Sequence, residues 1–173
     1  MSDLFHEGVP LSFIQDVFDI MRRAEWHVFQ VLTKRHDRLL DVAHQLVWPR
    51  NVWMGVSIEN RRWVKRADAL RTVGAAVRFI SAEPLLGPLD GLDLTNIHWV
   101  IAGGESGPVH RPMRSEWARD LRDRCLDAGV PFFFKQWGGT RSKSGGRLLD
   151  GREWSLMPAQ PMVPLEIGAI SQS

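Results

Sequence analysis

Apolar positions along this chain alternate between two periods. Short, nearly continuous apolar runs rich in Val, Ile, Phe and Trp fall at residues 27–33, 51–57, 77–82, 98–103 and 131–137. Runs of this length that do not alternate with polar residues suit strands buried on both faces. Between them the period lengthens to that of a helix. Phe13, Val17 and Met21 stand at i, i+4 and i+8, with Ile14 and Phe18 widening the stripe. Leu39, Ala43 and Leu46 form a second stripe, Trp63, Ala67 and Leu70 a third, and Trp117, Leu121 and Cys125 a fourth. Ser12 with Gln15 reads as a capping box, Asn60 and Ser115 as N-caps, and Gly74 and Gly129 as glycines just past helix ends.

Strand and helix patterns therefore recur in turn, with no tight hairpin joining neighbouring strands. That is the signature of βαβ units and a parallel sheet, either open or part of a barrel. Five strands are too few to close an eight-stranded barrel, so the expected fold class is α/β with parallel βα repeats, an open doubly wound sheet or part of a barrel. The series also starts in mid-phase, because residues 1–10 read as a loop leading into a helix. On this pattern the chain is expected to be the C-terminal part of a larger unit, the alternative being an ordinary N-terminal lead-in. The βα domain is expected over 1–137. A Gly-rich loop and a small hairpin about Asp150-Gly151 follow over 138–160, and 161–173 is expected to be poorly ordered.

Composition narrows the class. The chain has 173 residues, 44% hydrophobic and 24% charged, which excludes a wholly disordered or fibrous protein. The net charge of +2 is too small to be an electrostatic footprint for nucleic acid by itself. A single cysteine, Cys125, excludes an intrachain disulfide and a thiolate metal cage, and suits a reducing compartment. No apolar run is long enough to span a bilayer, and the first residues do not resemble a secretory signal, so a cytoplasmic protein without membrane partners is expected.

In parallel α/β folds ligands gather at the carboxyl ends of strands. Those ends carry Thr33, Lys34 and Arg35; Ser57, Glu59 and Asn60; Ser81 and Glu83; Gly103, Gly104, Glu105 and Ser106; and Lys135, Gln136 and Trp137. Ser2, Asp3, His6 and Glu7 would share this rim. Polar residues after strands are also what any surface loop shows, but their repetition at five consecutive ends points to a site that holds a charged substrate and moves protons. Gly103-Gly104 could expose backbone N–H groups to a ligand or could only make a tight turn. The surrounding sequence is neither a dinucleotide fingerprint nor a P-loop. The six histidines form no metal-ligand pattern, and His98 reads as a satisfied core residue. Cys125 reads as core. Trp137 and Trp154, beside the glycine loop, are the candidates for stacking on a base or sugar.

Six blocks, MSDLFHE at 1–7, FQVLTKR at 29–35, WMGVSIE at 53–59, FISAEP at 79–84, WVIAGGESG at 99–107 and PFFFKQWG at 131–138, carry a resemblance that covers residues 1–158. In them the chain resembles a family of uncharacterised phage-associated proteins that look like radical-SAM barrels. The resemblance implies a partial (β/α) barrel of about five strands over 1–137, truncated at the N-terminus, and full-length relatives that modify a nucleic acid or nucleotide. It also implies an upstream three-cysteine segment for an iron–sulfur cluster, S-adenosylmethionine as cofactor, and a three-Cys-motif partner protein. On that reading Gly103, Gly104, Glu105 and Ser106 hold the cofactor. Glu59, Glu83 and Lys135 act in catalysis, and Asp3, His6, Lys34, Arg35, Gln136 and Trp137 line the substrate pocket. The chain departs from the family in lacking the cysteine segment, so no cofactor or metal is expected on it as it stands. The alternatives are a module without redox chemistry that binds nucleotide, phosphate or nucleic acid, and an inactive fragment.

Overall fold

The computed structural model describes residues 3–141 and 144–159. In chain order it contains α1 (Leu11–Arg23), β1 (Phe29–Thr33), α2 (His36–Ala43), β2 (Val52–Ser57), a 3₁₀ turn (Arg61–Trp63), α3 (Arg66–Arg71), β3 (Val77–Ala82), β4 (Trp99–Gly103), α4 (Ser115–Asp127) and β5 (Phe132–Gln136). A hairpin of β6 (Leu148–Leu149) and β7 (Arg152–Glu153) follows. The five apolar runs are thus the five strands, trimmed by a residue or two at their polar ends. The strands stand side by side in sequence order, β1-β2-β3-β4-β5, and every neighbouring pair is parallel.

The two faces of the sheet differ sharply. Val52, Met54, Val56, Ile80, Val100, Ala102, Phe132 and Phe134 face a large core that also holds Ile14 and Phe18 of α1, Leu39 and Val42 of α2, Leu70 of α3 and Leu121 of α4. The alternate residues, Trp53, Val77, Phe79, Trp99 and Ile101, form a separate cluster on the opposite face, to which no helix contributes. There Trp99 meets Trp53 and Phe133 edge-on. Gly55 is required in this layer, because a Cβ on it would lie 2.4 Å from the Phe79 ring.

β2, β3 and β4 are buried almost throughout, as their unbroken apolar sequence requires. β5 is sheltered along its outer edge by residues 154–156, where Phe134 N–H donates to Trp154 O and Leu156 N–H donates to Phe132 O. No strand lies along the outer edge of β1 among the described residues, and the sheet does not close on itself there.

Several local expectations are corrected. α1 begins at Leu11 after Pro10, so Ser12 lies inside the helix and caps nothing. Its buried stripe is Ile14, Phe18 and Met21, while Phe13 is 54% exposed. Ser115 is the first helical residue of α4 rather than its cap, and Gly74 has no left-handed backbone. Asn60 does cap, its side chain accepting from Arg62 N–H, and Gly129 closes α4 with φ +66. Asp150 and Gly151, both at positive φ, make the expected hairpin turn. The expectation for 161–173 lies outside the described residues.

Candidate functional site

The carboxyl ends of β1 and β2 are joined by a buried carboxylate. Glu59, two residues beyond β2, has a side chain only 10% exposed. Its Oε1 lies 2.6 Å from Lys34 Nζ and its Oε2 lies 3.0 Å from Arg66 Nη1. The same Arg66 nitrogen donates to Ser57 O at 2.7 Å, and the guanidinium lies 4.0 Å above the Trp63 ring. Burial pushes the Arg66 guanidinium below its ordinary pKa, opposed by the neighbouring Glu59 carboxylate. Lys34 in contrast is more than half exposed. Glu59 therefore neutralises a buried arginine on one side and tethers an exposed ammonium on the other.

A second carboxylate repeats this scheme across the sheet. Glu83 Oε1 lies 3.1 Å from Lys135 Nζ, and Ser81 donates to Oε2 at 3.3 Å. Glu83 follows β3 and Lys135 sits on β5, so the pair spans β4. Gly103 on β4 makes this feasible, since a Cβ there would stand 2.8 Å from Glu83 Oε1. The segment after β3 also laces the strand ends together: Leu85 N–H donates to Gly103 O and Leu86 N–H to Glu59 O.

The third acidic strand end points elsewhere. Glu105 accepts from Arg111 through both carboxylate oxygens and from Arg111 N–H. Those hydrogen bonds hold it well below the usual carboxylate range, at about 2. The glycines before it do not form an open cradle. Gly104 N–H donates to Gln136 O and Gly107 N–H to Gly139 O. A Cβ on Gly104 would fall 1.8 Å from Trp137 O, and one on Gly138 would fall 2.1 Å from Glu105 O. Close backbone contact between the loops after β4 and β5 is what demands these glycines. Ser106 accepts from Gln136 Nε2, and Trp137 Nε1 donates to Leu148 O, tying the hairpin loop down.

The N-terminal loop completes the rim at β1. Asp3 accepts from the Thr33 hydroxyl, Phe5 N–H and Lys34 N–H. It anchors the loop and leaves little capacity for a ligand. His6 is exposed, and its Nδ1 accepts from Gly8 N–H. Arg35 is 46% exposed and has only a loose 3.7 Å approach to Glu7. Between this loop, α2 and the 3₁₀ turn lies an open groove of about 1130 Å³, lined among others by His6, Arg35, Arg38, Trp63 and Arg66.

The structure thus brings Lys34, Glu59, Glu83 and Lys135 to one end of the sheet as two ion pairs, and Asp3, His6 and Arg35 to the adjoining groove. Glu105 is taken up by Arg111, Ser106 pairs with Gln136, and Trp137 serves the loop packing. Trp154 is a correction: it is 7% exposed, packed on Phe132 and capped by Arg152 at 3.7 Å, so it offers no stacking face. His98 is satisfied as expected, its Nδ1 accepting from Arg78 N–H.

Arg66 and Arg38 are absent from the sequence-derived rim. A signal for Arg66 exists, since it stands three residues after Trp63 and one before Ala67 on an apolar stripe, where a charge needs a buried partner. Cys125 is fully buried in α4, and burial pushes its thiol up to about 12. One protonated cysteine does not suit an iron–sulfur cluster, which takes several thiolates. Among the described residues no three His, Cys, Asp or Glu side chains gather as for a metal ion, and no helix is long and apolar enough to cross a membrane.

A family described as protein of unknown function, DUF5131, matches the chain over residues 1–158. No curated protein and no solved structure matches it.

Proposed function

We propose, from the premise that this chain belongs to the DUF5131 family, that the carboxyl rim of its sheet binds a phosphate-bearing ligand, a nucleotide or nucleic acid, through Lys34, Arg35 and Lys135. The supporting observation is the pair of tethered ammoniums. Lys34 and Lys135 are each more than half exposed, while the carboxylates that hold them, Glu59 and Glu83, are 10% and 20% exposed. A lysine ammonium has three donors. With one turned back to its carboxylate, each keeps donors for an anion in a fixed place. Glu59 and Glu83 position these cations, and Glu83 also stands where it could exchange a proton with a bound substrate.

The barrel reading keeps some support. Strands in sequence order with all helices on one face are the arrangement of a (β/α) barrel wall. The cluster and S-adenosylmethionine expected of a longer form have no such support here. The single cysteine is buried and protonated, and the Gly104 N–H and the Glu105 carboxylate are taken up by Gln136 and Arg111.

The test is titration of the full chain with ATP and with inorganic phosphate, followed by calorimetry. The double variant Lys34→Met, Lys135→Met should lose most of the affinity. Circular dichroism establishes that the double variant is folded, since it leaves the largely buried Glu59 and Glu83 each without its lysine. Equal affinity in the folded double variant sinks the assignment.

A further inference from the structure

One guanidinium in the groove forms no ion pair among the described residues. Arg38, half-buried on α2, makes no hydrogen bond or ion pair among the described residues, and its Nε is sealed from solvent without a partner. Arg66, 5% exposed, likewise has a buried Nε without a partner, its Nη1 alone serving Ser57 and Glu59. Both residues line the same groove. Buried polar groups are nearly always satisfied, and an unpaired cation in a cleft is stabilised by whatever anion the cleft receives.

The groove's own carboxylates do not fill that role. Asp3 is taken up by Thr33 and two backbone N–H groups, and Glu7 lies against Arg35. Asp37 lies 3.4 Å from His36 and is 86% exposed. Asp41 is exposed and makes no ion pair with Arg38 among the described residues. Across the groove, the chain after Glu59 reads Arg61-Arg62-Trp63-Val64-Lys65-Arg66. Arg61, Arg62 and Lys65 are exposed, and among the described residues none has an ion pair. Arg62 lies over the Trp63 ring that forms the groove wall, at 5.3 Å.

Cations thus stand on one bank and beside the other: Arg38, which has no ion pair among the described residues, with the tethered Lys34 and the loosely held Arg35 on one, and Arg61, Arg62 and Lys65 on the exposed side of the turn whose Trp63 and Arg66 line the other. The groove's volume of about 1130 Å³ exceeds the range of roughly 300–1,000 Å³ usual for compact ligands. It is open and lined by Lys34, Arg35, Arg38 and Arg66 together with four carboxylates.

We infer that this groove is a track for single-stranded nucleic acid, with successive phosphates held by Arg38 and Arg35 and then by the Arg61–Lys65 turn. The inference rests on the phosphate-binding reading of the rim and adds its substrate class: a chain of several phosphates rather than one nucleotide.

The experiment compares labelled oligothymidylate of about twelve nucleotides, a length typical of single-strand sites, with thymidine monophosphate on the full chain at several salt concentrations. The oligonucleotide is expected to bind at least about tenfold more tightly at low salt and to weaken steeply as salt rises. Arg38→Gln should reduce the slope of log affinity against log salt by about 0.7, the share of one phosphate contact on a single strand. Arg61→Gln, Arg62→Gln and Lys65→Gln together should reduce it further and leave the monophosphate affinity unchanged. Arg50→Gln, at the opposite end of β2, removes the same charge and should leave the slope as it is. Circular dichroism establishes that each variant is folded.

Equal affinity for the monophosphate and the oligonucleotide would overturn the track while leaving the rim as a nucleotide site. So would an oligonucleotide slope that Arg50→Gln lowers as much as Arg38→Gln does. Binding of neither compound overturns both readings.

Discussion

The strand ends after β2 and β3 and the strand end after β4 read alike in the sequence: each carries a glutamate just beyond a buried strand. Their environments are opposite. Glu59 and Glu83 lie back over the sheet, and each holds a lysine from another strand. Glu105 meets no lysine among the described residues and is locked by a neighbour six residues along the chain. A carboxylate at a strand end is therefore not by itself a site residue. What separates the two cases is whether a lysine also reaches the carboxylate from another part of the sheet, as Lys34 reaches Glu59 and Lys135 reaches Glu83.

This contrast can be broken from either side. The largest effect is expected at Glu59. Glu59→Ala leaves Arg66 charged, buried and without its partner, and should cost about 3–5 kcal/mol in urea unfolding. Gly104→Ala should follow at about 3 kcal/mol, because its Cβ meets the backbone of Trp137, which cannot step aside. Gly103→Ala meets only the mobile end of Glu83, so about 1 kcal/mol is expected, together with weaker phosphate binding as the Glu83–Lys135 pair is displaced. If the two glycine variants were equally stable, the distinction between backbone packing and a carboxylate slot would fail.

The smallest effect concerns acid. Glu105 and Asp150 are both held at about 2, Glu105 by Arg111 and Asp150 by Arg119 and Arg122, below ordinary values of 4.5 and 3.8. Depressed carboxylates contribute stability above their unfolded pKa and lose it as pH falls toward the folded one. The urea midpoint should therefore decline as pH falls from about 4.5 to about 2. Glu105→Gln and Asp150→Asn should each flatten that decline. A midpoint profile for Glu105→Gln that overlays the parent's would show that the Arg111 fork adds nothing in solution.

Some of the candidate site was legible because the strand–helix alternation sends every strand end to one side, so Lys34, Glu59, Glu83 and Lys135 could be placed on a common rim. Their pairing was not. Lys135 reaches Glu83 over β4, and nothing in the local sequence at Gly103 distinguishes a slot for a carboxylate from a turn or a ligand cradle. Trp154 shows the same limit: beside a glycine loop it reads as a stacking residue, yet Arg152 and Phe132 cover it.

By itself the sequence determined the number of strands, their parallel sense and the side on which polar residues collect, because burial on both faces imposes an unbroken apolar run and the helical period returns the chain to the start of the next strand. Only the tertiary structure decided which charges meet, which glycines are filled by neighbours, and that Arg38 and Arg66 face a groove. Those outcomes depend on contacts between segments far apart in the chain, where burial and a few ångströms of side-chain reach decide whether a charge is paired, tethered or left for a ligand.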